Sequence, residues 1–195
     1  MKPRKRSTGQ TGFTLIELVI VITIIGILAA VALPRFIALQ RDARIAKLNA
    51  ARGAVGAAAA MVHAAILTRT GVADPVACAV GGTASNLPGT TGNPGSVCTE
   101  NGLIATVFSY PASTAIPAPA PLNPGIVAAA GLSTVFNPTL QNLLNEGYSA
   151  TFSGSTDTIF QVQGAPDMLN CQFTYTQALS ANVPAVISVA TTSGC

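Results

Sequence analysis

The chain has 195 residues and carries little charge: ten lysines and arginines, seven aspartates and glutamates and one histidine give a formal net charge of +3. Four of the basic residues lie in the first six positions, so the remainder holds six basic against seven acidic side chains. This balance excludes a broad basic surface for nucleic acid. The length suits one domain with an additional anchoring segment.

Residues 1–12, MKPRKRSTGQTG, form a short basic leader without an acidic residue. The positive-inside rule keeps such a segment in the cytoplasm and predicts that the chain beyond the next apolar stretch lies across the membrane. In an ordinary secretory signal the small-residue cleavage site follows the apolar region. Here the small residue, Gly12, precedes it. We therefore expect cleavage between Gly12 and Phe13, which leaves the apolar segment on the mature chain.

Residues 13–34 predict a transmembrane helix. From Phe13 to Leu33 the chain has one ionisable residue, Glu17, and a helix of this length is about 30 Å long, enough to cross the hydrocarbon core of a bilayer. Pro34 has no N–H to bond to the preceding turn, and its ring crowds that turn. A helix break, as a kink or as local melting, is therefore expected near Gly26 to Pro34.

Glu17 is the unusual residue of this helix, because a carboxylate among apolar side chains is unfavourable unless it meets a cation or takes up a proton. After cleavage the new amine of Phe13 would lie one helical turn before Glu17. We expect that amine, on the same subunit or on a neighbouring one, to neutralise the carboxylate. The alternative is that Glu17 stays in water at the membrane boundary.

Residues 35–70 predict an amphipathic continuation of the helix. Its apolar positions repeat every seven residues, with alanines between them: Leu48, Val55 and Val62, then Ala51, Ala58 and Ala65. This stripe suits packing against a sheet or other helices. A second face holds charged residues and is predicted to be wetter: Arg41, Asp42, Arg44, Lys47 and Arg52. His63 adjoins the apolar stripe and is interpreted as a structural histidine rather than a ligand or pH sensor.

Residues 71–195 predict a globular head that begins with loops. The predicted elements are irregular chain over 72–102, a strand over 103–109, a proline-rich connection over 111–124, and a helix over 137–147. Asn137 is the expected N-cap of that helix, Pro138 its first residue and Gly147 its stop.

The end of the chain changes to the alternating pattern of strands. Four segments rich in β-branched and aromatic residues are separated by turns: 148–154, 157–163, 171–177 and 184–190. Short separations favour antiparallel neighbours. The sequence therefore predicts an α+β fold, with a long helix as spine and a C-terminal antiparallel sheet packed on its stripe.

Four cysteines, Cys78, Cys98, Cys171 and Cys195, all follow the apolar segment. An even number in an exported region suggests disulfides, and three pairings are possible. The spacing lacks the CxxC pattern of a metal site, and the sequence has no phosphate-binding loop, HExxH or GxSxG motif. We expect neither a metal, nor a cofactor, nor an enzyme.

The run GFTLIELVIVITIIGILAAVALPRF resembles the class III leader and N-terminal helix of type IV prepilins. It has the glycine before the cut, the aromatic first residue, the glutamate fifth after the cut, and the proline near the end of the apolar run. The later PRFIALQRDARIAKL, the Val62–His63 pair and the final SGC resemble the mannose-sensitive haemagglutinin (MSHA) type of pilin.

This resemblance implies a type IV pilin fold and the structural subunit of a type IV pilus, an extracellular filament for adhesion or motility. Prepilin peptidase would cut after Gly12, Phe13 would be N-methylated, and Phe13 and Glu17 would act in subunit assembly. The other implied partners are copies of the chain in a homopolymeric helical filament, the pilus assembly machinery and, before assembly, the bacterial inner membrane. Nucleic acid is not expected.

The family pattern, together with sequence proximity, favours a Cys171–Cys195 bridge, which leaves Cys78–Cys98 as the second. Two alternatives share the N-terminal motif: a pseudopilin of type II secretion, and a minor tip pilin that binds a ligand.

Overall fold

A computed structural model gives the fold and describes residues 12–79, 81–113, 124–135 and 138–195. The chain divides into two compact units, Met1–Arg41 and Asp42–Cys195. The predicted leader therefore lies almost entirely outside the described residues, as does most of the proline-rich connection.

The first unit consists, in its described part, of the beginning of one long helix. This helix, α1, runs from Leu15 to Arg69. Within the described part of the chain it is the one helix whose length and composition allow it to span a membrane. In the first unit its side chains are exposed all round, as expected for a segment that other helices or lipid would cover.

The local melting predicted between Gly26 and Pro34 is absent, and this corrects the sequence analysis, while the predicted kink stays a prediction. Both residues lie inside the uninterrupted α1, with Pro34 in its interior. A proline removes one donor and crowds one carbonyl, yet the hydrogen bonds of the surrounding turns remain and carry the helix past it. The proline alone is therefore not enough to end this helix.

The second unit combines the end of α1 with two antiparallel sheets. A three-stranded sheet has the order β1-β2-β3, with β1 at Gly95–Thr99, β2 at Gly102–Val107 and β3 at Tyr110–Pro111. A four-stranded sheet has the order β4-β5-β6-β7, with β4 at Tyr148–Ser153, β5 at Asp157–Val162, β6 at Gln172–Thr176 and β7 at Val186–Ile187. Two short helices, α2 at Ile126–Ala129 and α3 at Leu140–Asn145, and a 3-10 turn at Met168–Asn170 complete the unit.

The predicted α+β fold is confirmed, with antiparallel pairing throughout the C-terminal sheet. Two details differ. The last strand is two residues long instead of seven, and residues 95–99, expected to be irregular, form β1. The side chain of Val97 in β1 is fully buried, so tertiary packing makes a strand where local propensity does not.

The core lies where the apolar stripe of α1 meets the sheets. Buried helix residues are Leu48, Ala51, Val55, Ala58, Ala59, Val62 and Ile66. They include the predicted stripe, except that Ala65 is only half-buried. From the four-stranded sheet, Phe160 and Phe173 stack with their ring centroids 5.0 Å apart and belong to the same core. Burial of this stripe, not helix propensity, is what holds α1 against the head.

The start of α3 also differs from the prediction. Its N-cap is Thr139, whose hydroxyl accepts from the backbone N–H of Asn142, while the Asn142 side chain accepts from the backbone N–H of Thr139. Asn137, the predicted cap, lies outside the described residues. Gly147 follows the last turn with φ of +74°, a conformation that favours glycine.

Candidate processing and assembly site

Thr14 and Glu17 form a capping box at the start of α1. The backbone N–H and the hydroxyl of Thr14 both donate to Oε2 of Glu17, at 3.2 and 3.0 Å, and the Glu17 N–H donates back to the Thr14 hydroxyl at 3.3 Å. The first helical bond runs from the Leu18 N–H to the Thr14 carbonyl at 3.3 Å. Thr14 is therefore the N-cap, and Glu17 stands at the third helical position.

This contact gives the Glu17 carboxylate partners within its own subunit. An anion also gains from the positive end of the helix dipole in the first turn. Sequence analysis assigned Glu17 a cation and overlooked Thr14, although the pattern T-x-x-E before an apolar run is a sequence signal for this box. The carboxylate is exposed in the single subunit.

Gly12 and Phe13 precede the helix in non-helical backbone. The Phe13 side chain is 83% exposed, and the space around Gly12 is open. The Gly12–Phe13 peptide, the predicted cleavage site, is thus reachable from outside.

Beyond the cap, α1 exposes an almost unbroken apolar surface. Its exposed large apolar side chains in the first unit are Leu15, Ile16, Leu18, Val19, Ile20, Val21, Ile22, Ile24, Ile25, Ile27, Leu28, Val31, Leu33, Phe36, Ile37 and Leu39. A soluble monomer does not leave such a surface in water. The segment needs lipid or other helices around it.

Three basic side chains of α1 attach the helix to the ends of the head's strands and turns. Arg44 Nη1 donates to the Cys195 carbonyl at 3.0 Å, and Arg52 Nε donates to the Ser188 carbonyl at 2.8 Å. Lys47 Nζ donates to the Glu146 carbonyl at 2.6 Å and lies 4.5 Å from the ring centroid of Tyr148. The charged face of α1, which was predicted to face water, therefore also contacts the head through these hydrogen bonds.

The four cysteines are joined in the structure as Cys78–Cys98 and Cys171–Cys195, with Cα–Cα distances of 5.4 and 4.9 Å. The second bridge ties the start of β6 to the end of the chain. Gly194 packs so closely on the Asp167 carbonyl that a Cβ would collide with it.

His63 has the surroundings of a structural residue. Its ring stacks on Tyr110, with centroids 4.1 Å apart and planes within 8°, and its Nδ1 lies 3.2 Å from the Ser109 carbonyl. A protonated Nδ1 donates there, which ties α1 to the β2–β3 turn. Within the described residues there is no group of three or more metal-binding side chains.

Comparison with known proteins agrees with the N-terminal geometry. Residues 7–33 match the family described as the prokaryotic N-terminal methylation motif. The chain is 56% identical over 50 residues to the type IV narrow pilus major component PilA5 of Thermus thermophilus. These aligned residues are 26% of this chain and 43% of that protein.

The N-terminal region is therefore similar to that of type IV pilins, and its residues 7–33 carry the N-terminal methylation motif. A second relative is the type IV major fimbrial protein FimA of Dichelobacter nodosus. It is 37% identical over 87 residues, which are 45% of this chain and 51% of that protein. The chain thus spans about half the length, or less, of the curated relatives it matches. No solved structure matches it significantly. Neither relative is an MSHA-type pilin by name, so that finer resemblance stays a prediction.

Proposed function

We propose that residues 13–195 form the structural subunit of a type IV pilus. The observation that carries the proposal is a capped apolar helix that is exposed on every side within the first unit and whose first turns lie inside the match to the N-terminal methylation motif, residues 7–33. The two relatives, named as major components of type IV pili or fimbriae, support it.

In this proposal the chain is made as a precursor anchored in the bacterial inner membrane, with residues 1–12 on the cytoplasmic side. Prepilin peptidase removes them after Gly12, and the new amine of Phe13 is methylated. Residues 13–34 span the membrane, residues 35–70 continue the helix, and residues 71–195 form the head. The exposed, non-helical backbone at Gly12 and Phe13 supports cleavage at this position.

Assembly transfers the apolar helix from lipid to a bundle of like helices in a filament outside the cell. Burial of apolar side chains at about 25 cal/mol per Å² supplies the cohesion. The amine of Phe13 on one subunit is the proposed partner of Glu17 on its neighbour, and the pilus assembly machinery brings them together. The head coats the fibre, and the chain has a structural rather than an enzymatic role, without a cofactor or nucleic acid.

Two alternatives remain open to experiment: a type II secretion pseudopilin, and a minor tip pilin that binds a ligand. Electron microscopy of filaments sheared from cells, with mass spectrometry of their subunits, separates the three. Long filaments composed mainly of this chain, absent after its deletion and restored by complementation, support the proposal. Filaments with a few copies at their ends favour the tip pilin. Secretion defects without long filaments favour the pseudopilin.

A further inference from the structure

The start of α1 lies two residues after the peptide bond that the proposed function has prepilin peptidase cut. Thr14 fixes that start through its hydroxyl, which accepts from the Glu17 N–H at 3.3 Å and donates to the Glu17 carboxylate at 3.0 Å. The helix proper begins at Leu15. Gly12 and Phe13 are left outside it, exposed and non-helical.

A shift of this start by one turn toward the N-terminus would change the chemistry of the Gly12–Phe13 bond. In a longer helix the Gly12 carbonyl would accept the Ile16 N–H, four residues on. Hydrolysis breaks the bond between the Gly12 carbonyl carbon and the Phe13 nitrogen, and it adds the hydroxyl of water to the carbon and a proton to the nitrogen. The carbonyl must therefore be reachable and free to tilt. The next residue upstream of a type that caps helices is Thr11. A helix capped there would enclose the bond.

We propose that Thr14 is a positioning residue for leader removal: by ending the helix at its own position, it keeps the Gly12–Phe13 peptide outside the helix, where the peptidase can reach and cut it. The inference rests on the proposed function. It assigns Thr14 a role through backbone geometry and not through contact with the enzyme.

The test uses the full-length precursor in detergent with purified prepilin peptidase, and follows the initial rate of leader removal by mass spectrometry. Thr14→Val keeps the shape of threonine but removes the cap. Thr14→Ser and Thr14→Asn keep the capping function while changing the side chain. We expect Thr14→Val to be cut about fivefold more slowly, the ratio that corresponds to loss of a typical N-cap, and the serine and asparagine variants to be cut at close to the wild-type rate.

A spectroscopic measurement reports the backbone directly. Gly12–Phe13 is the one Gly-Phe pair in the sequence, so labelling glycine carbonyls with ¹³C and phenylalanine nitrogens with ¹⁵N isolates the signal of the scissile peptide. In wild type, Thr14→Ser and Thr14→Asn we expect a non-helical carbonyl shift. In Thr14→Val we expect it to move toward the helical value.

Three results overturn the inference. Thr14→Val cut at the wild-type rate shows that the cap does not matter. Slow cleavage of both Thr14→Val and Thr14→Asn shows that the peptidase reads the threonine itself. Slow cleavage of Thr14→Val with an unchanged carbonyl shift separates the rate from helix position. A wild-type precursor that the peptidase leaves intact refutes the proposed function, which is a different outcome from these three.

Discussion

The hydroxyl of Tyr175 donates a hydrogen bond to the carbonyl of Pro111 across 2.7 Å, deep in the head. Tyr175 lies in β6 of the four-stranded sheet and Pro111 in β3 of the three-stranded sheet, so one buried side chain joins the two sheets. Tyr175 has no exposed surface. Its ring fills the core while its hydroxyl satisfies a carbonyl that water cannot reach, as a buried tyrosine requires.

Replacing Tyr175 with phenylalanine should therefore leave the Pro111 carbonyl unpaired and lower the free energy of unfolding by about 1–3 kcal/mol. Urea unfolding of the mature chain in detergent measures this change in the free energy of unfolding. Tyr148→Phe is the matched control, because Tyr148 is only half-buried and its ring can stay beside Lys47. A change below about 0.5 kcal/mol in Tyr175→Phe would show that the bond contributes nothing net.

The same residue predicts a loss of stability at alkaline pH. Burial, and secondarily the negative charge that Tyr110 gains when it ionises, raise the pKa of Tyr175 well above its usual value of 10.0. The folded state therefore resists deprotonation that the unfolded chain undergoes. The stabilisation is complete below pH 10 and declines above it, by about 1.4 kcal/mol per pH unit. Unfolding curves from pH 8 to 11.5 should show this decline in wild type and a shallower one in Tyr175→Phe; parallel curves would contradict the assignment.

The disulfide pattern gives a third prediction. Peptide mapping under non-reducing conditions should link Cys171 to Cys195 and Cys78 to Cys98, with no free thiol. Replacing Cys171 and Cys195 together with serine should lower stability by about 3 kcal/mol in the chain-entropy model, for a bridge separated by 24 residues. Replacing Cys78 and Cys98 together with serine is the control, because that disulfide closes a loop of similar length. A Cys78–Cys171 peptide would refute the pairing.

Glu17 gives the prediction for assembly. Glu17→Ala leaves Thr14 as an N-cap, so the variant should insert and lose its leader. In the filament, however, the neighbour's Phe13 amine would be left partly buried without a counter-charge, at a cost of about 3–5 kcal/mol. We expect few or no filaments by electron microscopy when this variant is the sole copy. Glu17→Gln keeps the shape and should fail in the same way; normal filaments from either variant would rule out the charge pairing.

The features that the sequence predicted well are those that depend on a local pattern of apolar and polar residues. The strands β4, β5 and β6 follow from alternation, and the buried face of α1 follows from a seven-residue repeat that includes Leu48, Val55 and Val62. The Thr14–Glu17 box was predictable from its T-x-x-E spacing, which needs no partner outside the helix.

Other features depend on partners far along the chain. Val97 is in a strand because it pairs with Ile104 of β2 and its side chain is buried in the core. The sequence of residues 95–99 has little strand propensity of its own. Arg44 bonds to a carbonyl 151 residues away and Arg52 to one 136 residues away. A charge pattern on a helix shows which face is polar, but it does not show which distant carbonyls complete it.

The partners of the basic residues of α1 determine how the attachment of the head depends on salt. Arg44, Lys47 and Arg52 are engaged by backbone carbonyls, and among the described residues a single ion pair stands out, Arg69 with Asp74 at 4.0 Å. Ion pairs at a surface weaken as dissolved salt increases, whereas short bonds to carbonyl dipoles are screened far less. A head attached by its buried apolar stripe and by these bonds should therefore lose less of its attachment to the helix, as salt rises, than one attached by surface ion pairs.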